Sequence, residues 1–498
     1  MAPFLDDGHA VGELQQDDIH SLRLMLEGFA SRALEITPRK LRNQSHKTWL
    51  ELGGDSLTAV NFMGFCHEAG VDVDIPNVFL SDSLDELLDR IAQSHQNRKS
   101  ASNEEDMENG DHGNSHHYHL PEDGPLLGIL RGHGPLDEVQ GVGPCSPMQE
   151  NFIALQKIDP RAYQLRLTAR IAFTNPAVVV TTDLVGKAWL AVVRRHAALR
   201  TMFVESVDRP GRFDQVVWKN IKPQISVLPL SAAEDSKAEY GSEFPHHLIL
   251  AQAPDNKLFV KLSISHAVMD GVSIEILFRD LFRALTQSLP TGEEPLQCWD
   301  FLHAQQPDTS QEALSYWSRY MAATEGTFLS SPSSKKKPTG LYSIDQEVPI
   351  RSELAQNLSG QFNATLVNAC QVAYALVLRC YTGANSVCFS YTTSGRQKRV
   401  KGLHDAVGAF VNTLPCRVDF GETATITEAL SRAQGDFLES LPYQGASLTD
   451  KQGMSGGSVR QLGDSLLSFY GGLPETELAK AGFAVDIVSW EAPSDVCN

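Results

Sequence analysis

A long polar segment divides this chain of 498 residues into two parts, each of which must fold around its own core. Residues 94–124 are rich in Ser, Asn, Glu and Asp and carry almost no aliphatic side chains. Such a composition buries too little apolar surface to offset the entropy that is lost on ordering. We therefore predict a flexible acidic linker over residues 96–138, between a small domain at 14–95 and a larger domain at 139–498.

The small domain has the pattern of a helical bundle. Apolar side chains recur at helical spacing over residues 17–34, and a second helix is expected to begin near Asp55 and to end at Gly70. A third helix is expected after Ser81, which is an N-cap candidate. Three to four short helices around one core make a bundle, so we predict an all-α, four-helix domain.

The larger domain alternates strand patterns with helix patterns, which is typical of α/β layers. Residues 165–173 and 257–266 are predicted to be strands because apolar residues alternate along them or β-branched residues are frequent. Helical spacing of apolar side chains predicts helices over residues 184–199, 273–285 and 363–381.

The charge balance excludes two classes of partner. Lys and Arg number 42 against 61 Asp and Glu, for a net charge of −19. Nucleic acids and anionic membrane surfaces require a positive protein surface, so neither is a predicted partner. No apolar run approaches the roughly 20 residues that span a bilayer, and the first residues do not have the order of a signal peptide. We predict a cytoplasmic protein with reduced cysteines.

Metal binding has little support in the sequence. The eight cysteines contain no C-x-x-C pair, which is the common signature of a thiolate zinc site or a redox pair. The predicted linker offers His112, His116, His117 and His119, but no folded element fixes further ligands around them. We therefore predict a solvated linker and no metal site.

The first chemical motif is Leu-Gly-Gly-Asp-Ser-Leu at residues 52–57. Two glycines permit a tight turn, and Asp55 or Ser56 could simply cap the helix that follows. The surrounding string TWLELGGDSLTAVNF, within a domain of this size, resembles the thiolation (peptidyl carrier) domain of nonribosomal peptide synthetases. The resemblance implies that Ser56 carries a covalent 4′-phosphopantetheine, which a phosphopantetheinyl transferase attaches.

The second motif is Ser-His-Ala-Val-Met-Asp-Gly at residues 265–271, between a predicted strand and a predicted helix. Alone, it also fits a half-buried histidine with Asp270 as a helix cap. The whole region resembles the condensation domain of the same synthetases, because several motifs follow in the family's order. They are GPCSPMQENFIALQ (143–156), RHAALRTMF (195–203), SISHAVMDGVS (263–273), a weaker CWDFLHAQ (298–305), YTTSGRQ (391–397), VGAFVNTLPCRV (407–418) and a loose LPYQGASL (441–448).

This resemblance implies two lobes of the chloramphenicol-acetyltransferase type set in a V, the first at about 139–310 and the second at about 311–498. It places His266 in a tunnel between the lobes, as a general base or as a hydrogen-bonding group that positions an amine. Asp270 and Gly271 then support the loop, and Arg396 is the expected structural partner of Asp270, because a buried charge needs an opposite charge. Asn412 is expected near the tunnel, where loop hydrogen bonding is an equally good interpretation.

The chain departs from the common family pattern at two places. Ser265 stands where the family usually has a first histidine, and this variant resembles the terminal condensation domains of fungal synthetases, which release a peptide by cyclising it. The sequence after Trp490 lacks the family's Asp-Phe-Gly-Trp-Gly motif. We therefore expect the end of the second lobe to be incomplete in this sequence, which puts full activity in doubt.

Together these features predict a carrier–condensation didomain that forms an amide bond from a peptidyl thioester delivered by upstream synthetase modules. Intramolecular cyclisation with release is the favoured reaction. One alternative is intermolecular condensation with a free amine or with a carrier on another protein. The other is a non-catalytic carrier or docking module beside a decayed condensation fold.

Overall fold

The computed structural model describes residues 19–491 with gaps, of which the longest are 106–123, 330–345, 447–464 and 470–482. Two compact units make up the chain. Unit 1 comprises residues 1–114, 347–374 and 420–441, and unit 2 comprises the rest. In the described parts of both units, no helix has the length and apolar character needed to cross a membrane.

Unit 1 is helical wherever the structure describes it, apart from the turns between helices. Its helices are α1 (Ile19–Ala33), α2 (Pro38–Asn43), α3 (Ser56–Glu68), α4 (Ile75–Leu80), α5 (Leu84–Glu105), the first half of α13 (Leu366–Thr382) and α14 (Ile426–Ser440). The helices predicted at residues 17–34 and 55–70 are thus confirmed within one or two residues at each end.

One apolar core holds the bundle of α1 to α5 together. Leu26, Trp49 and Phe62 are almost fully buried in it, and the rings of Trp49 and Phe62 lie 5.1 Å apart. Leu441, just after α14, packs into the same core. The turn before α3 depends on its glycines: Gly53 has a φ of 90°, and a Cβ on Gly54 would lie 2.2 Å from the Trp49 ring.

The start of α5 corrects one prediction. The expected N-cap, Ser81, instead donates its hydroxyl hydrogen to the carbonyl of Asn77 at 2.6 Å. Ser83 takes the capping role, because its Oγ accepts a hydrogen bond from the backbone N–H of Glu86 at 3.1 Å. Two serines in Ser-Asp-Ser-Leu compete for the cap, and the one next to the first helical residue takes it.

Helices occupy both ends of the range that is predicted to be a linker. Helix α5 continues to Glu105, and α6 (Pro125–Arg131) begins before the expected boundary. Leu130 is fully buried and packs in one cluster with Val216 and Trp218, which supplies the apolar burial that orders α6. Residues 106–123, with the four histidines considered above, lie outside the described residues.

Unit 2 is an α/β structure, as predicted. Its helices are α6, α7 (Pro147–Ile158), α8 (Thr182–Arg195), α9 (Leu230–Asp235), α10 (Gly271–Leu285), α11 (Cys298–Ala304), α12 (Gln311–Met321) and the second half of α13. Its strands are β1 (Val139–Pro144), β2 (Gln164–Phe173), β3 (Thr201–Glu205), β4 (Phe213–Trp218), β5 (Gln224–Val227), β6 (His246–Gln252), β7 (Leu258–Ser265), β8 (Ser386–Thr393), β9 (Asn412–Asp419), β10 (Leu466–Leu467) and β11 (Phe483–Glu491).

The main sheet has the strand order β11-β2-β7-β6-β5, antiparallel except for the β5–β6 pair. Helices α8 and α10 pack against each other and join the sheet's core through Trp189, Leu277 and Leu262. The β2–β7 register pairs Gln164 with Ser265, so β2 begins beside the end of β7. Two three-stranded sheets, β1-β4-β3 and β10-β8-β9, complete the described strands.

Strand β11 lies at the edge of the main sheet. Residues 483–491, which the resemblance places in the second lobe, pair with β2, with Phe483 opposite Phe173 and Glu491 opposite Arg166. The main chain of β2 would otherwise have an open edge, and β11 satisfies its hydrogen-bonding groups. Residues 483–491 are therefore part of the sheet that positions the second motif.

The bundle core generates a stability prediction with an internal control. Leu26 is fully buried, whereas Leu24, on the same helix, is 46% exposed. We expect Leu26→Ala to destabilise the bundle by about 2–5 kcal/mol, because it leaves a cavity. Leu24→Ala should change stability by about 0.5 kcal/mol or less. Hydrogen exchange of the α1 amides, measured by mass spectrometry, checks both values, and equal exchange in the two variants would contradict the packing described here.

Candidate active site

His266 lies on the short loop between β7 and α10. Its backbone N–H donates to the carbonyl of Tyr163 at 2.9 Å, which fixes the loop to the start of β2. Its half-buried ring lies 5.8 Å from the ring of Phe152 and 6.3 Å from that of Tyr163, measured between centroids. The imidazole therefore lies beside two aromatic rings, one on α7 and one directly before β2.

The surroundings of His266 favour its neutral form. Burial lowers the pKa of the imidazole below its ordinary value, because the charged form loses hydration. The negative charge of Asp270 and a hydrogen bond with the backbone of Met269 act in the opposite direction but do not overcome burial. At neutral pH the ring can accordingly accept a proton.

A buried ion pair holds the second end of the loop. One Arg396 nitrogen, Nη2, donates to Oδ1 and Oδ2 of Asp270 at 2.9 and 3.1 Å, and both side chains are almost fully buried. Asp270 also caps α10, since its Oδ1 accepts from the backbone N–H of Ser273 at 2.8 Å. The sequence suggested two roles for Asp270, as the partner of Arg396 and as a helix cap, and the side chain has both. Gly271 begins α10 directly after this cap.

The loop that carries Arg396 fits closely around the pair. Arg396 Nη1 donates to the carbonyls of Leu403 and Ala406 at 2.7 and 2.8 Å. Gly395 has a φ of 64°, and a Cβ there would lie 1.8 Å from the carbonyl oxygen of Phe410. The glycine of the Ser-Gly-Arg motif is thus required by sterics, because only glycine allows this approach to Phe410.

Ser265 anchors the loop from the buried side of the strand. Its Oγ lies 2.9 Å from Nε2 and 3.1 Å from Oε1 of Gln156, and it accepts the backbone N–H of Ala267 at 3.0 Å. Gln156 Nε2 also donates to the Tyr163 carbonyl at 3.2 Å. Gln156 therefore joins the two backbone segments that flank His266.

Sequence reasoning missed the roles of Gln156, Gln149 and Tyr163. Both glutamines lie in the stretch 143–156 that resembles the family, and they are seven residues apart on one helix. This spacing, which places them on the same helix face, was the available signal. Gln149 Nε2 donates to the carbonyl of Ala267 at 3.0 Å, while its Oε1 accepts from the Ser146 N–H. Tyr163 has a φ of 51°, a strained value for a bulky residue that no sequence pattern reports.

A shallow cleft with a cavity volume of about 40 Å³, open to solvent, lies near this loop. Asn412, a predicted site residue, lines it and donates to the carbonyls of Gln444 and Ala446 at 2.7 and 3.0 Å. The loop hydrogen bonding considered for Asn412 is therefore what the structure shows. Met148 and Val411 line the cleft and also pack against the apolar cluster that includes Ala267, which connects the cleft wall to the His266 loop.

The motif at residues 195–203 has a structural role. Arg195 Nε and His196 Nε2 both lie 3.0 Å from Oδ2 of the buried Asp280, and Arg279 lies 3.1 Å from Oδ1. These contacts join the end of α8 to α10, the helix that begins at the His266 loop. The hydrogen bond with His196 and the positive charge of Arg279 outweigh burial and lower the pKa of Asp280.

Ser56 is the first residue of α3. Its side chain lies outside the described residues, whereas the turn before it, with exposed Glu51 and Gly53, is described. The two predicted functional residues, Ser56 and His266, thus belong to different units.

The comparison with protein families identifies the larger part of the chain. The family model described as "Condensation domain" matches residues 139–461. The chain belongs to the condensation domain family. The prediction of a condensation domain after the polar segment is thereby confirmed.

Curated relatives are fungal synthetases. The chain is 36% identical over 490 residues, 95% of its length, to FR901469 synthetase of Dothideomycetidae sp. (strain 11243). It is 29% identical over 499 residues to the nonribosomal peptide synthetase cm3A of Cordyceps militaris. The alignments include 95% and 96% of this chain but only 3% and 10% of the lengths of these two proteins.

Solved structures show the same fold. The condensation domain from the Monacolin K polyketide synthase MokA matches with a TM-score of 0.54 at 17% sequence identity. The match covers 72% of this chain and 87% of that one. The α/β part of the fold prediction is therefore confirmed as a condensation-domain fold, while the carrier assignment and the V arrangement stay predictions.

The Asp270–Arg396 pair gives a second prediction. We expect Arg396→Met to cost about 3–5 kcal/mol, because it leaves the buried Asp270 carboxylate unpaired. The double variant Asp270→Asn/Arg396→Met should recover part of this loss, since Asn keeps the α10 cap and carries no charge. Differential scanning calorimetry of the full chain measures both. A single variant as stable as the wild type, or a double variant that recovers nothing, would contradict the assigned pairing.

Proposed function

We propose that this chain forms an amide bond by directing an amine onto a peptidyl thioester, with His266 as the group that takes the proton. The observation that carries the proposal is a neutral, half-buried imidazole whose loop is anchored at both ends. Burial favours the neutral form of this ring, while the residue as a whole is only partly buried. A condensation-domain fold around it agrees with this chemistry.

The chemistry balances without an external oxidant, reductant or energy source. The amine nitrogen attacks the thioester carbonyl, a C–N bond forms and the C–S bond breaks. The proton lost by the amine passes to the imidazole of His266 and is then available to the departing thiolate. A hydrogen bond from the amine to the imidazole also fixes the direction of attack, which contributes to rate by orientation. Proton acceptance and positioning of the amine both use the same contact between the amine and the His266 imidazole.

The carrier function rests on Ser56. A 4′-phosphopantetheine group supplies a thiol on a long arm, which carries an acyl group as a thioester. The residues present fit this group: Ser56 begins the 13-residue helix α3, and the positive end of that helix dipole favours a phosphodiester. The turn before it has exposed residues at Glu51 and Gly53, which leaves room for a transferase.

Tethering gives the small domain its purpose in this proposal. Linking substrate and site in one chain replaces a bimolecular encounter by an intramolecular one with a high effective concentration. The implied partners are a phosphopantetheinyl transferase and upstream synthetase modules that supply the peptide, in the cytoplasm.

We propose that the favoured reaction is cyclisation with release, because the resemblance of Ser-His-x-x-x-Asp-Gly to fungal terminal domains agrees with the fungal relatives. Intermolecular condensation with a free amine or a carrier in trans is the alternative. A decayed, non-catalytic module is disfavoured by the buried Asp270–Arg396 pair and by the close fit of Gly395, since a decaying site would lose such contacts first.

The carrier proposal predicts a covalent modification. Incubation of the full chain with coenzyme A and a broad-specificity phosphopantetheinyl transferase should increase its mass by one phosphopantetheine group. Ser56→Ala should not be modified. Ser83→Ala, which changes a helix-capping serine of the same bundle, should be modified like the wild type. Intact-protein mass spectrometry decides the matter, and unchanged modification of Ser56→Ala would refute the assignment.

The catalytic proposal predicts a specific loss of product. A chain loaded with a synthetic peptidyl pantetheine should release a peptide of cyclic mass, and His266→Ala should slow this release by about 100-fold or more. His303→Ala, which alters an exposed histidine of α11, should release product at the wild-type rate. Liquid chromatography with mass spectrometry distinguishes cyclic product, linear acid and uncleaved thioester. Equal release by the two variants would refute the role of His266.

A further inference from the structure

A residue that lines the cleft beside the His266 loop carries a buried side-chain amide with no hydrogen-bond partner among the described residues. Gln305 follows α11, is only 5% exposed and lines the cleft. Neither its Oε1 nor its Nε2 has a hydrogen-bond partner among the residues that the structure describes. Its backbone, by contrast, is fixed, because the Gln305 N–H donates to the carbonyl of Phe301 at 3.3 Å.

An unpaired amide at this depth is unfavourable for folding. A buried donor or acceptor without a partner loses its hydration and gains nothing in return. An apolar side chain of similar size would avoid this loss. A group that destabilises the folded chain is explained if a ligand supplies the missing hydrogen bonds, and such sites are where local rules of stability are broken.

Other polar side chains on the cleft wall already have partners. Asn412 donates to two carbonyls across the loop after α14. Gln306 Nε2 donates to the carbonyls of Pro144 and Leu302, each at 3.3 Å. Ser146 is engaged in the capping box of α7 with Gln149. Gln305 is therefore the side chain in this set whose hydrogen-bonding groups are both unused.

The rest of the wall selects the class of ligand. Met148, Ala304, Phe410 and Val411 supply the apolar part of it, and a cleft that combines apolar side chains with a few polar groups binds a ligand in one orientation. The wall continues towards the His266 loop, because Met148 and Val411 pack against the apolar cluster that includes Ala267 of that loop. A ligand in the cleft would thus extend from the reacting group.

We propose that Gln305 binds the main chain of the acyl group, by accepting a hydrogen bond from the N–H and donating one to the C=O of a single residue. In an extended peptide these two groups of one residue point to the same side, and a neighbouring strand pairs with them in this way. The primary amide of glutamine offers the same acceptor and donor. Gln305 is thus a substrate-contacting residue that reads the backbone, not the side chains.

This inference rests on the proposed function for its ligand, but its test does not require turnover. The probe is N-acetyl-trialanyl pantetheine in which an amide replaces the thioester, and binding to the full chain is measured by isothermal titration calorimetry. A second probe replaces one alanine amide by an ester, which removes a single N–H. Pantetheine alone is the third probe, because its arm also contains amides.

The variant is Gln305→Leu, which keeps the size and removes both hydrogen-bonding groups. We expect Gln305→Leu to bind the amide probe about 10-fold or more weakly than the wild type. With one of the ester positions this difference should shrink, since the N–H that Gln305 accepts is already absent. Pantetheine alone should bind the wild type and Gln305→Leu equally.

Thermal unfolding separates binding from structure. Because the unpaired amide is unfavourable, Gln305→Leu should unfold at the same temperature as the wild type or a higher one while it binds more weakly. A lower unfolding temperature together with weaker binding would show a structural role and would overturn the inference. Equal binding of the amide probe by the wild type and Gln305→Leu would overturn it as well, as would a difference that pantetheine alone reproduces.

The two proposals can fail independently. A wild-type chain that binds the amide probe through Gln305 but releases no product in a His266-dependent way refutes the proposed function alone. A wild-type chain that releases product normally, with Gln305→Leu indistinguishable in binding, refutes this inference alone.

Discussion

The buried pairing of Asp270 with Arg396 is the interaction on which the rest of the site depends. A carboxylate and a guanidinium at this depth are tolerated only as partners, and each also satisfies backbone groups of its own surroundings. The pair joins the start of α10 to the loop before β9, which lie far apart in sequence. His266 lies four residues before Asp270, so the ion pair also fixes the position of its loop.

The opposite end of the His266 loop is held by hydrogen bonds of a different kind. Gln156 contacts both the Ser265 hydroxyl and the Tyr163 carbonyl, and the latter also accepts the N–H of His266. The left-handed conformation of Tyr163 directs that carbonyl to this point at some cost in strain. The His266 loop is thus fixed at one end by the Asp270–Arg396 ion pair and at the other by neutral hydrogen bonds. Burial outweighs the negative charge of Asp270 and lowers the pKa of the imidazole.

Much of this arrangement is predictable from sequence because it is encoded locally. The alternation at 165–173 and the apolar spacing at 273–285 specify β2 and α10, and the motif letters place His266 between them. The pairing of Asp270 with Arg396 was expected from the family resemblance, and the rule that a buried charge needs a partner explains it but does not select Arg396. What sequence could not supply is non-local: the pairing of β11 with β2, and the packing of Leu130 that orders the end of the expected linker. The unpaired state of Gln305 is likewise invisible in a pattern, because it depends on what the fold fails to place beside it.

Burial favours a neutral His266 where the proposed reaction needs a proton acceptor. The most direct measurement is an NMR titration of the full chain labelled with ¹³C at the histidine Cε1, with the His266 signal assigned from its absence in His266→Gln. We expect a pKa for His266 below the ordinary value of about 6.5. A pKa at or above that value would show that the charge of Asp270 and hydrogen bonding outweigh burial, and it would contradict the environment described here for this ring.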